Sequence, residues 1–221
     1  MIAAQEGHAA AMELLLGKGA DVDAKSNRGD TMLMLSANRG HTAAMELLLN
    51  KGTDVEAKSN AGVTALMLAA NGGHTAAMEL VLNKGAAVEA TNNDGWTALM
   101  AAAQSGQTAA MEVLFGKGAD TEAKANDGWT ALTLAVQEGQ TAAMEVLLGK
   151  GTDVEAKVKG GNTALMIAAQ EGHAAAMELL LSKGATAETK NDDGNTALMI
   201  SATKRRTAPM VRLLPVLCPP C

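Results

Sequence analysis

The chain has 221 residues, 48% of them hydrophobic, with a formal net charge of −6 and a pI near 5.2. That acidic balance argues against nucleic acid as a partner, because a phosphate backbone needs a clustered basic surface. No stretch approaches the run of apolar residues that would span a membrane.

Residues 1–27 form a clipped first unit. Met1–Leu16 matches Met166–Leu181 letter for letter, but the turn that precedes the later copy is missing. The first copy therefore starts part-way into a helix. Translation from an internal Met and excision from a longer array both fit. The start also lacks the basic and long apolar regions of a secretory leader.

Full units follow at a period of 33 residues, over 28–60, 61–93, 94–126, 127–159 and 160–192. Such self-similarity marks an array in which each unit contacts mainly its neighbours. Every unit opens on a short polar segment: NRGDT, NAGVT, NDGWT twice, KGGNT and, in the last unit, DDGNT. Its glycine supplies the positive φ of a tight turn, and the threonine suits a helix N-cap. A short apolar helix follows, with Leu66, Ala69 and Ala70 on one face. Gly72-Gly73, or Ser105-Gly106 and Glu138-Gly139, stops it. A second helix is predicted from about Thr75 to Asn83, ended by Lys-Gly. Helices this short do not persist alone in water, so stacking must fold them.

The last unit, 193–214, is degenerate. Pro215 must stop its final helix, and 215–221 is an irregular tail ending Cys218-Pro219-Pro220-Cys221. Two cysteines confined to the tail exclude a disulfide scaffold. They fit a reducing compartment, so an intracellular, cytoplasmic setting is expected. The CxxC spacing supplies only two of four zinc ligands and lacks a βαβ context, and reads as a frayed end. Lys204-Arg205-Arg206 is too short a basic run to mark a nuclear signal.

With D-G-x-T-x-L, A-A, G-H, L-L-L and G-A-D-V recurring in register over 1–205, the chain resembles the ankyrin repeat family. The resemblance implies an all-α solenoid of six to seven helix–turn–helix units and a role in binding another protein. One departure is systematic: the family's T-P-L-H reads Thr64-Ala65-Leu66-Met67, with Thr97–Met100 and Thr163–Met166 alike. The proline's fixed φ and the histidine's bonds to neighbouring loops are lost, which predicts a less rigid joint between units.

Few residues invite chemistry. His8, His41, His74 and His173 are 33 residues or multiples of it apart. Packed helices lie about 8–10 Å apart, too far for two such rings to share a zinc bound at roughly 2 Å. Gln107 and Gln140 replace them in register, which suits a polar role at a helix start. Glu46, Glu79, Glu112, Glu145 and Glu178, with Lys51, Lys84, Lys117, Lys150 and Lys183, recur once per unit and read as a solvated ridge. No phosphate loop, G-x-S-x-G or Cys–His pair is present, so neither an enzyme nor a cofactor is expected.

Trp96 and Trp129 are the sharper pointers. Their register holds Asp30, Val63, Asn162 and Asn195 elsewhere, so it accepts very different side chains and reads as exposed. Exposed tryptophans are typical of binding hot spots, although each indole could instead lie across the next turn. The expected protein-binding set is Asn93, Asp94 and Trp96, Asn126, Asp127 and Trp129, with Gln104, Ser105, Gln137 and Glu138 on the concave helix face. Asn71, Gln170 and Glu171 vary at the same positions. The rival expectation is a homo-oligomer made by end-to-end stacking of uncapped terminal repeats.

Overall fold

The computed structural model describes residues 1–203, so Lys204–Arg206 and the Cys218/Cys221 tail lie outside the described residues. Among the described residues every element is an α-helix, and two isolated bridges, Lys25 with Thr31 and Lys157 with Thr163, are the sole β pairings. The chain divides into two compact units, one of residues 1–102 with 107–120, the other of residues 103–106 with those from Thr121 onward.

The first unit holds α1 (Ile2–Gln5), α2 (Ala9–Gly17), α3 (Met32–Ala37), α4 (Thr42–Asn50), α5 (Ala65–Asn71), α6 (Thr75–Asn83) and α8 (Thr108–Gly116), while α7 (Ala98–Gln104) runs across the division. The second holds α9 (Ala131–Gln137), α10 (Thr141–Gly149), α11 (Ala164–Glu171), α12 (Ala174–Ser182) and α13 (Ala197–Thr203). Within each, first helices pack on first helices and second on second. Thus α3 meets α1 and α5, α4 meets α2 and α6, α9 meets α11, and α10 meets α12. This is the nearest-neighbour stacking of a helical solenoid.

One repeat shows why these letters fold this way. Ser59 and Val63 close a turn, with Gly62 donating to the Ser59 carbonyl at 2.9 Å from a φ of +78°. Thr64 is extended, and its Oγ1 accepts the Met67 amide at 3.3 Å, satisfying a donor that α5 leaves orphaned. Thr31, Thr97, Thr130 and Thr196 do the same; Thr163 makes no such bond. Helix α6 begins at Thr75, ends at Asn83 and is closed by Gly85 and Ala86 amides folding back on Leu82 and Val81 carbonyls.

The core is a set of ladders. Met12, Met45, Met78, Met111, Met144 and Met177 stand 33 residues apart and are all buried, as are Leu33, Leu66, Leu99, Leu132 and Leu165. Methionine's unbranched thioether fills the irregular space between short helices that an aromatic ring could not share in every copy. The ridge of Glu46, Glu79, Glu112, Glu145 and Glu178, with its five lysines, is exposed throughout.

The joints between repeats carry more polar bonds than the missing T-P-L-H histidine implies. His41 Nε2 lies 3.0 Å from the Gln5 carbonyl, His74 Nε2 3.3 Å from that of Asn38, and His173 Nε2 2.9 Å from that of Gln137. A carbonyl can only accept, so in each case Nε2 carries the proton. These histidines do start the second helices, but their side chains do not cap them; they tie each to the repeat before.

Candidate functional site

The turn tips are built from backbone and held by short side chains. At the tip of the first unit, Asn92 donates to the Trp96 carbonyl at 3.0 Å, and its own Oδ1 accepts the Trp96 amide at 2.8 Å and the Asp94 amide at 2.9 Å. Ser26, Ser59 and Asn191 close their tips in the same way onto Asp30, Val63 and Asn195. Residue 125 is Ala, so the Trp129 amide has instead a long bond of 3.5 Å to Asp127 Oδ1. The two tryptophans therefore sit on tips of different construction.

Neither indole is fully exposed. Trp96 and Trp129 are half-buried, and so are Asp30, Val63, Asn162 and Asn195 in the same register. The position tolerates many side chains because part of each faces solvent, not because it stands clear of the fold. The register is thus half-buried, where its variety of side chains had suggested exposure.

The other expected residues divide by unit. Asn93 and Asp94 are exposed at the Trp96 tip, but Asn93 is already engaged: its amide reaches the Ala61 carbonyl at 3.0 Å and its Nδ2 the Asn60 carbonyl at 3.0 Å. It works as a strut between repeats. In the second unit Asn126 and Asp127 are exposed, and the Asp127 carbonyl accepts the Lys159 amide at 2.9 Å. Gln104, Ser105 and Gln137 are half-buried at the ends of first helices, while Glu138 is exposed. The structure thus brings Asn93, Asp94 and Trp96 to one tip and Asn126, Asp127 and Trp129 to another.

Two features escaped the sequence. A cavity of about 450 Å3 in the first unit is lined by Gln5, Ser26, Asn27, Arg28, Asp30 and Asn38, among others. Gln5 and Asn38 hold the same register as Gln104 and Gln137, and Arg28 brings to its tip a cation where the other copies carry Ala61, Asp94, Asp127, Gly160 and Asp193. That singular cation was the available signal. The second feature is the E-A-K segment. Glu56, Glu89, Glu122 and Glu155 each accept an amide of the following repeat, from Ala87, Asp120, Asp153 and Thr186, at 2.6–3.0 Å. Lys58 and Lys157 reach forward likewise to the carbonyls of Thr91 and Lys190.

Among the described residues no group of three or more His, Cys, Asp or Glu side chains could hold a metal ion. No helix among them is long and apolar enough to cross a membrane. The surface offers hydrogen-bonding tips, half-buried indoles and helix ends, which suit contact with another macromolecule.

A family model described as ankyrin repeats (3 copies) matches residues 1–92, 74–158 and 156–215. Among solved structures, the crystal structure of the human ASB11 ankyrin repeat domain is similar, with a TM-score of 0.85 and 24% identity. That match covers 99% of this chain and 97% of the other. No curated protein matches the sequence.

Proposed function

The chain belongs to the ankyrin repeat family, whose members are generally protein-interaction modules, and from that premise we propose that it is a non-enzymatic scaffold gripping another protein by its turn tips and first-helix ends. The observation carrying this reading is where the repeats differ. Gly and Thr flank the tip register in nearly every copy, because turn and cap need them, while the residue between runs through Asp30, Val63, Trp96, Trp129, Asn162 and Asn195. Folding constrains the flanks and leaves that position free for recognition.

Trp96 and Trp129 are the anchors of this reading. A half-buried indole is held by the fold on one side, so it loses little freedom when a partner covers the other. Asp94, Asp127, Asn126, Gln104, Ser105, Gln137 and Glu138 supply polar rim contacts, and Asn93 holds the first tip in place. The setting proposed is intracellular and cytoplasmic.

The test begins with affinity capture from cell extract using the intact chain, followed by titration of the purified partner. Trp96→Ala and Trp129→Ala together are expected to weaken that partner by more than about 2 kcal/mol, the range of a hot-spot truncation. An unchanged Kd, with folding intact by circular dichroism, removes both tryptophans from the site.

A further inference from the structure

Asp-Gly occurs three times in the chain, always at a turn tip: Asp94–Gly95, Asp127–Gly128 and Asp193–Gly194. All three aspartates are exposed. This dipeptide is chemically labile. The glycine amide nitrogen attacks the aspartate Cγ and gives up its proton, the carboxyl hydroxyl leaves as water, and a succinimide ring closes. Glycine has no side chain to hinder the approach. Water then adds back to either ring carbonyl. Addition at Cγ restores aspartate, whereas addition at the former main-chain carbonyl leaves isoaspartate, with the backbone rerouted through Cβ and Cγ. Solvent water is the sole co-reactant.

Residues 93–97 and 126–130 are the same five letters, Asn-Asp-Gly-Trp-Thr, so a difference between them reports what surrounds them. Gly95 and Gly128 sit at nearly the same positive φ, +83° and +85°. Gly95 donates to the Asn92 carbonyl at 3.1 Å and Gly128 to the Ala125 carbonyl at 2.9 Å. That bond occupies the attacking nitrogen, so the ring closes only when the tip opens. What holds the tip shut differs by one residue. Asn92 Oδ1 takes the amides of Asp94 and Trp96 at 2.9 and 2.8 Å. Asn191 Oδ1 takes those of Asp193 and Asn195 at 3.2 and 2.8 Å. Ala125 has no side-chain acceptor to offer. In its place the Asp127 Oδ1 reaches the Trp129 amide at 3.5 Å, at the outer limit of a hydrogen bond, and this turns the reacting carboxyl forward along its own chain.

We propose that Asp127–Gly128 is a site of spontaneous isoaspartate formation, set apart from Asp94–Gly95 and Asp193–Gly194 by the missing side-chain clasp at residue 125. A surface turn opens locally at far less cost than the whole fold, so the reaction proceeds in the native chain. It also changes the joint to the next repeat. The Asp127 carbonyl accepts the Lys159 amide at 2.9 Å. In isoaspartate that carbonyl leaves the main chain as a carboxylate, and the rerouted backbone is longer by a carbon just before Trp129. The modification requires no partner, and stands or falls separately from partner binding at the tips.

The experiment ages the intact chain at neutral pH and physiological temperature, then digests it with trypsin. Cleavage after lysine places the three sites on separate peptides, 85–117, 125–150 and 191–204, whose isoaspartyl forms are quantified by chromatography and mass spectrometry. Isoaspartate is expected to accumulate at Asp127 at least about fivefold faster than at Asp94 or Asp193, the factor that a single neutral hydrogen bond is worth. In denaturing urea the clasp is gone, and Asp94 and Asp127, with identical flanking letters, should react at equal rates. Ala125→Asn is expected to slow Asp127 to the rate of Asp94, and Asn92→Ala to raise Asp94 to that of Asp127. The second variant carries the test if the first does not fold. Equal rates at Asp94 and Asp127 in the folded chain overturn the proposal. So does a difference that persists in urea, or a folded variant that leaves its site's rate unchanged.

Discussion

Thr53 and Thr152 occupy the position held by Ala20, Ala86, Ala119 and Ala185 in other repeats, and their hydroxyls are buried with no hydrogen-bond partner. Their amides also close the preceding helix at 3.3 and 3.4 Å, against 3.0 Å at Ala86, Ala119 and Ala185. An unsatisfied buried hydroxyl costs about 1–3 kcal/mol, more than the buried methyl beside it returns when the site fits Ala so well. Thr53→Ala and Thr152→Ala are each expected to raise stability by about 1 kcal/mol in urea unfolding. A fall in the midpoint would mean that methyl packing outweighs the hydroxyl. Glycines separate in the same manner. A Cβ on Gly62 would meet Asn93 Oδ1 at 2.5 Å and its amide nitrogen at 2.7 Å, whereas one on Gly52 meets nothing within 4 Å. Both have positive φ, +78° and +87°. Gly52→Ala should therefore cost only the left-handed strain, about 1 kcal/mol, and Gly62→Ala about 3 kcal/mol or more because a backbone strut must move. Equal thermal shifts for the two would refute the steric account.

At the scale of the helix and its connections, the turns, caps and breaks were legible because each is decided within a few residues. Thr75–Asn83 is a helix in the sequence reading and in the structure alike, since Gly73 and Lys84-Gly85 punctuate it locally. The cross-repeat bonds were not legible. Glu155 sits in the sequence as one more charge, yet its Oε1 takes the Thr186 amide at 2.6 Å and its Oε2 the Thr189 hydroxyl at 3.1 Å. The partners are 31 and 34 residues away, and only the packed register sets that meeting. Glu155→Ala is expected to destabilise by about 1–2 kcal/mol, as loss of bonds to a charged acceptor does. Glu145→Ala, on the exposed ridge, should stay within about 0.5 kcal/mol. Chemical denaturation of the two variants side by side separates a joint residue from a solvated one.

For the whole molecule, a repeated sequence on repeated geometry means that most positions report on folding, and the few that break the pattern report on contact. The tip tryptophans are legible as that kind of break. Their half-burial is not, because it depends on how closely the rest of the tip packs. The polar cavity beside Arg28 is not legible, because a cation that departs from its copies does not by itself state that Gln5, Ser26 and Asn38 lie around it. Burial is set by neighbours in the same way: the sixteen letters shared by 1–16 and 166–181 leave Leu15 55% exposed and Leu180 buried.

By itself the sequence determined the 33-residue period, the helical class, the turn and cap positions and the family, all of which rest on local backbone preferences or on self-similarity. The tertiary structure alone decided which polar groups cross from one repeat to the next and how deeply the tip residues sit. Those depend on distances between segments some thirty residues apart, and a side chain's identity does not state its neighbour until the helices have stacked.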